Sequence, residues 1–156
     1  MSSDTTQLVV AKQRLLPNNM QRRNIIDITS ATATLGRNQS GSIVRFDKAD
    51  GIVITLPTAR AGLWYDFLVK TAVTSNTYQV VAAGTAKVSG TLVNSKNDTA
   101  SKSFVGDGSA DTKVSMNGST TGGLVGTYFR AFCDGTGWRI NGDNAASGSE
   151  ADPFAA

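Results

Sequence analysis

A chain of 156 residues with 40% hydrophobic and 17% charged side chains can bury one core without disulfides or a metal, and sixteen glycines with only three prolines exclude a collagen-like repeat or wholesale disorder. The formal charge of +3 is too small to imply nucleic-acid binding, and the lone cysteine, Cys133, excludes an internal disulfide. No histidine occurs, which removes the usual general base, the Ser–His and Cys–His nucleophile pairs and the commonest transition-metal ligand.

Residues 1–24 read as an N-terminal docking arm. Leu8, Val9, Val10, Leu15 and Leu16 are apolar, a short helix over Thr6–Leu16 would be marginal alone, and Pro17, Asn18 and Asn19 end it. Lys12, Arg14, Arg22 and Arg23 stand against one acid, Asp4, and no aromatic residue is interleaved as a nucleic-acid stacking platform would need. The expected partner is therefore a protein surface. Neither a signal-like stretch nor a run of about 18 apolar residues is present, so no export and no membrane contact are expected.

Residues 25–143 read as the β domain. The abundance of Ser, Thr, Gly and Asn suits strands and tight turns. Asn24–Leu35 reads as extended chain. Ser42–Phe46 and Ile52–Leu56 are strands joined by Asp47–Gly51, which has hairpin chemistry, and Pro57 stops the second. In Leu63–Thr71 the residues Leu63, Tyr65, Phe67 and Val69 share one face, opposite Trp64, Asp66, Leu68 and Lys70. Tyr78–Ala82, Val88–Val93 and Thr112–Asn117 are further strands. Asn94–Gly108 reads as a polar excursion and Gly118–Gly126 as a flexible connector. Thr127–Cys133 and Gly137–Asn141, flanking Asp134–Thr136, form the clearest hairpin, with Tyr128, Phe129, Phe132 and Trp138 available to pair across it. Cys133 falls on the face of Phe129 and Ala131, a core position. Residues 144–156, with Glu150 and Asp152 and no basic residue, read as a flexible acidic tail. No internal repeat is evident. About eight strands in one β-sandwich or small barrel follow.

Chemistry-bearing candidates all have simpler readings. Asp107–Asp111 spaces oxygen side chains as some calcium loops do, but lacks the downstream bidentate Glu, so a solvated turn is expected. Gly118–Gly126 has no following Lys-Ser or Lys-Thr and cannot be a P-loop. The carboxylate pairs Asp47 with Asp50 and Asp134 with Asp143 lie in turns, where Asp serves local hydrogen bonds. No catalytic residue, metal ligand or cofactor is assigned.

Two segments taken in order carry a resemblance. SGSIVRFDKADGIVITLPTARAGLWYDFLV (Ser40–Val69) and GTYFRAFCDGTGWRING (Gly126–Gly142), about a third of the chain, resemble segments of small structural proteins of tailed phages, above all capsid decoration (cement) proteins, and also head- and tail-fibre subunits. The resemblance implies a β domain, often trimeric, on the outer capsid surface of the virion. It would bind assembled major capsid protein and stabilise the head, after synthesis in the host cytoplasm. In that reading Leu8, Val9, Val10, Leu15 and Leu16 anchor the arm while Lys12, Arg14, Arg22 and Arg23 meet acidic capsid groups. The alternative is a fibre subunit that binds a host-surface glycan, with Trp64 or Trp138 exposed in a groove.

Overall fold

The computed structural model describes residues 22–97 and 100–156. Among these, twelve strands build two mixed sheets around a shared apolar core, the arrangement of a β-sandwich. One sheet has the order β1 (Ile25–Ile28), β3 (Ile43–Phe46), β5 (Trp64–Val69), β10 (Tyr128–Cys133), β11 (Trp138–Ala145), β7 (Val88–Ser95), β8 (Lys102–Asp107). The other runs β12 (Phe154–Ala155), β9 (Lys113–Met116), β6 (Tyr78–Val81), β4 (Ile52–Thr55), β2 (Thr32–Thr34).

The first six strands alternate between the sheets, so that β1, β3 and β5 pair in parallel on one side and β2, β4 and β6 on the other. The expected hairpin of residues 42–46 with 52–56 is therefore corrected. Asp47–Gly51 arches across the roughly 10 Å between packed sheets rather than folding β3 back onto β4. Turn chemistry marks a reversal of the chain and is the same for both outcomes. What separates them is the apolar facing: Phe46 stacks on Tyr78 of the opposite sheet, centroids 4.5 Å apart, while Val44 and Ile54 are fully buried. The returns to the larger sheet, residues 35–42 and 56–63, are eight residues each. This recurrence is one of length and not of residue identity, which is why it is invisible as a sequence repeat.

The closing hairpin forms as expected, from Tyr128 opposite Asp143 to Cys133 opposite Trp138. Asp134 shapes its turn by accepting hydrogen bonds from the N–H groups of Thr136 and Gly137, both at 3.0 Å. The aromatics do not pair across it. Phe129 stacks instead on Phe67 of β5 at 5.3 Å, and Trp138 meets Tyr65 at 6.0 Å. The alternation read for Leu63, Tyr65, Phe67 and Val69 puts all four in the core, as it does Cys133 with Phe129 and Ala131. Each such large side chain contributes about 1.5–3 kcal/mol by leaving water.

Two segments depart from expectation. Within the supposed polar excursion, β7 continues to Ser95 and Lys102–Asp107 forms β8, an edge strand with only Phe104 and Gly106 facing inward, too few apolar positions to register as alternation. The supposed tail is part of the domain: β12 pairs with β9, Phe154 and Glu150 are buried, and Phe154 lies over Gly106, where a β-carbon would sit 2.7 Å from its ring. A single aromatic and a short ladder dock a segment whose composition otherwise looks solvated.

A buried amide pair ties these pieces together. Asn94 and Asn144 stand opposite each other on β7 and β11, and the Asn144 amide donates to Asn94 Oδ1 at 2.9 Å and to the Thr121 carbonyl at 2.9 Å. Asn144 Oδ1 accepts from Gly123 N–H and from the Thr127 hydroxyl, each at 3.1 Å, while Asn94 donates to the Ala151 carbonyl at 3.1 Å. The glycine-rich connector is thus hydrogen-bonded into the domain. Gly122, at φ +86°, is required here because a β-carbon would fall 2.0 Å from Asn144 Oδ1.

Candidate functional site

The outward faces of β5, β10 and β11 form a surface of aromatic and cationic side chains. Strand alternation sends Trp64, Asp66 and Leu68 outward from β5, and Tyr128, Arg130 and Phe132 from β10. Antiparallel pairing sets Arg130 opposite Asp66 and Phe132 opposite Trp64, and the hairpin adds Arg139 opposite Phe132. Tyr128 is 41% and Phe132 43% exposed, unusual for large apolar rings on the middle strands of a sheet.

At the centre lies Asp66, an outward-facing residue that is nonetheless fully buried. Arg130 reaches it with two bonds, Nε to Oδ1 at 2.6 Å and Nη2 to Oδ2 at 3.0 Å, and the Tyr128 hydroxyl and Arg23 Nη1 also donate to Oδ2. Burial by itself would raise the Asp66 carboxyl, but the hydrogen bonds from Arg130, Tyr128 and Arg23 outweigh it and hold the group down at about 2. The guanidinium carbons of Arg23 and Arg130 sit 4.5 and 4.3 Å from the Trp64 ring centroid, cation–π contacts that flatten both arginines on the sheet. Arg23 also donates to the carbonyls of Gly41 at 2.8 Å and Ser42 at 3.1 Å. A neighbouring row adds Asp27 bonded to Arg45 at 2.5 and 2.8 Å.

Of the expected docking residues, Leu8, Val9, Val10, Lys12, Arg14, Leu15 and Leu16 lie outside the described residues. Arg22 is exposed. Arg23 is engaged within the chain, on Asp66 and Trp64, instead of projecting from an arm. The network of Trp64, Asp66, Tyr128 and Arg130 is absent from the sequence reading. Its one legible signal is an aspartate in the middle of an otherwise aromatic strand, a residue type depleted there, with an arginine at the equivalent place in the closing hairpin.

The remaining candidates resolve as local structure. Asp107 Oδ1 accepts from the N–H groups of Ser109 and Ala110 at 2.8 Å and Asp111 at 3.2 Å, a self-contained turn whose backbone bonds hold the Asp107 carboxyl well below its usual range. Asp47 is bonded to Lys70 and Thr71, both at 2.6 Å, and Asp50 to Lys48. Asp134 and Asp143 sit at opposite ends of the hairpin. Among the described residues no three Cys, Asp or Glu side chains gather as a metal site. An open cleft of about 660 Å³ is lined by Lys96, Leu124, Val125 and the Ala145–Ser149 stretch, and a second of about 400 Å³ by Asp107, Asp134, Lys87 and Arg139 with Ser, Thr and Gly between them. Trp138 is fully buried, and Trp64 lies beneath two guanidinium groups.

Comparison of the chain with protein-family models, curated proteins and solved structures finds no match.

Proposed function

We propose that this chain is a non-enzymatic virion subunit that binds assembled major capsid protein through the outer face of its seven-stranded sheet and stabilises the phage head, the role implied by the resemblance of residues 40–69 and 126–142. One observation carries the docking part of this reading. Tyr128, Arg130 and Phe132 stand side by side on β10, flanked by Trp64 and Arg139, and Trp, Tyr and Arg are the residue types that dominate the energetics of protein interfaces. Arg130 is already oriented by Asp66 and Trp64, so little side-chain entropy is lost when a partner covers it. A homotrimer on the capsid lattice is the assembly the resemblance implies. The glycan-binding alternative draws no comparable support, since one tryptophan is in the core and the other is capped by cations.

The test is binding of the purified chain to assembled phage shells that lack it, beside a Phe132→Asp variant. The reading expects saturation at a copy number close to that of the major capsid protein, and loss of affinity of at least about tenfold in the variant, with its melting temperature nearly unchanged. Absence of binding to shells, or binding at fibre-like copy number, refutes it.

A further inference from the structure

The seven-stranded sheet ends on β8, and the ladder that holds this strand shows which of its backbone groups are left over. Gly108 N–H donates to the Val88 carbonyl at 3.0 Å, which fixes the phase of the antiparallel pairing: Gly106, Phe104 and Lys102 exchange hydrogen bonds with Gly90, Leu92 and Asn94. Ser103, Val105 and Asp107 therefore turn their backbone groups to the outer edge. The Asp107 N–H is already capped there by Asp111 Oδ2 at 2.9 Å. Among the described residues no strand pairs with the N–H and C=O groups of Ser103 and Val105. Val105 itself is 66% exposed, and Phe104, on the inward face, packs on the core yet is only partly buried.

We propose that this edge pairs with the same edge of a second copy of the chain, antiparallel about a two-fold axis at Phe104, so that two seven-stranded sheets become one. The free groups carry the argument, because they stand symmetrically about that residue. An axis there sets Ser103 of each copy opposite Val105 of the other, and every free N–H and C=O of these residues finds its complement. Residues opposed in a sheet share a face, so the axis falls on a residue and not between two. Centring it on Val105 requires the N–H of Asp107, which Asp111 holds, and centring it on Ser103 brings in Ser101, which precedes the strand.

The side chains agree. Phe104 meets Phe104 of the second copy as a pair without hydrogen bonds, the kind in which Cα atoms come within about 4.5 Å and side chains lie closest. Both rings are on the inward face, so each covers what the other leaves open. Lys102 falls opposite Gly106 and Ser101 opposite Asp107, so no like charges are opposed. The central residues Ser103, Phe104 and Val105 include neither the proline nor the charge that commonly blunts an edge. Such a contact is isologous and closes as a dimer. It uses none of Tyr128, Arg130 and Phe132, goes beyond the proposed function, and leaves the outer face of the sheet open for docking.

Sedimentation velocity of the full chain from micromolar to millimolar concentration, with amide exchange followed in parallel, tests the pairing without any shells present. Its outcome is therefore separate from that of the shell-binding test. A reversible dimer is expected, in which the amides of Ser103 and Val105 exchange at least about tenfold more slowly than in the dilute monomer. Val105→Pro removes an edge N–H but no bond of the β7–β8 ladder. It should abolish the dimer, with a melting temperature close to that of the parent at concentrations where both are monomeric. Val105→Glu keeps the N–H and sets two carboxylates diagonally across the axis, so it should weaken the dimer by at least about tenfold, and it decides the matter if the proline unfolds the chain. A parent that is monomeric throughout overturns the inference. So does any assembly in which these two amides exchange as in the monomer, or one that survives a folded variant at parental strength.

Discussion

The guanidinium of Arg130 and the carboxylate of Asp66 form a two-point ion pair across neighbouring antiparallel strands, at 2.6 and 3.0 Å, on the outer face of a sheet. Such a pair on an open surface adds little. Here the carboxylate is fully covered while its arginine remains half exposed, so the bond organises the face more than it holds the fold together.

Asp66→Asn removes the countercharge from Arg23 and Arg130 and should cost about 1–3 kcal/mol near pH 7, with both arginines partly hydrated to limit the loss. The sign of the pH effect follows from the depressed carboxyl. Asp66 lies at about 2 in the folded chain against an ordinary 3.8, so its contribution is complete above about pH 4 and is lost as the pH falls through 2. Melting curves of parent and variant should therefore converge as the pH falls from about 4 to about 2. A gap that stays constant with pH would mean that the carboxylate charge is not what matters.

Asn144→Ala leaves the Gly123 N–H, the Thr127 hydroxyl and Asn94 without their shared partner in a buried setting. Denaturant unfolding should show a loss of about 2–4 kcal/mol, more than one hydrogen bond is worth, because several buried groups lose a partner together.

Phe154→Ala removes the one large apolar side chain of the last strand. The expected cost is about 3 kcal/mol, with the peptide after Ala146 becoming open to limited proteolysis. If residues 144–156 were solvated, the substitution would leave both stability and proteolysis unchanged.

Cys133 is fully buried, and its Sγ accepts the Arg60 N–H at 3.2 Å. A thiol reagent should modify it only at the rate of unfolding, so native and denatured samples should differ by orders of magnitude in half-time. Rapid modification of the native chain would contradict this packing.

The strands with strict alternation and large apolar residues were legible in the residues themselves. Leu63 to Val69 announces its inward face, and Thr127–Asn141 announces a hairpin, because period-two burial and an Asp-Gly turn are local signals. The candidate site was not legible in the same way. Asp66, Arg130 and Arg23 are far apart along the chain, and nothing near any one of them identifies the other two. The tail and β8 were missed for the complementary reason: each docks through one or two side chains, Phe154 over Gly106, in segments of otherwise polar composition.

By itself, then, the order of residues determined an all-β chain, the inward faces of its longer strands, its final hairpin and the absence of histidine chemistry. These depend on alternation, turn residues and composition, which act over a few positions. Only the tertiary structure decided that Asp47–Gly51 crosses between sheets, that β1, β3 and β5 pair in parallel, and that Asp66 gathers Tyr128, Arg130 and Arg23 into one outer face. Those outcomes depend on which apolar faces meet across the core, a contest among distant segments that no local pattern records.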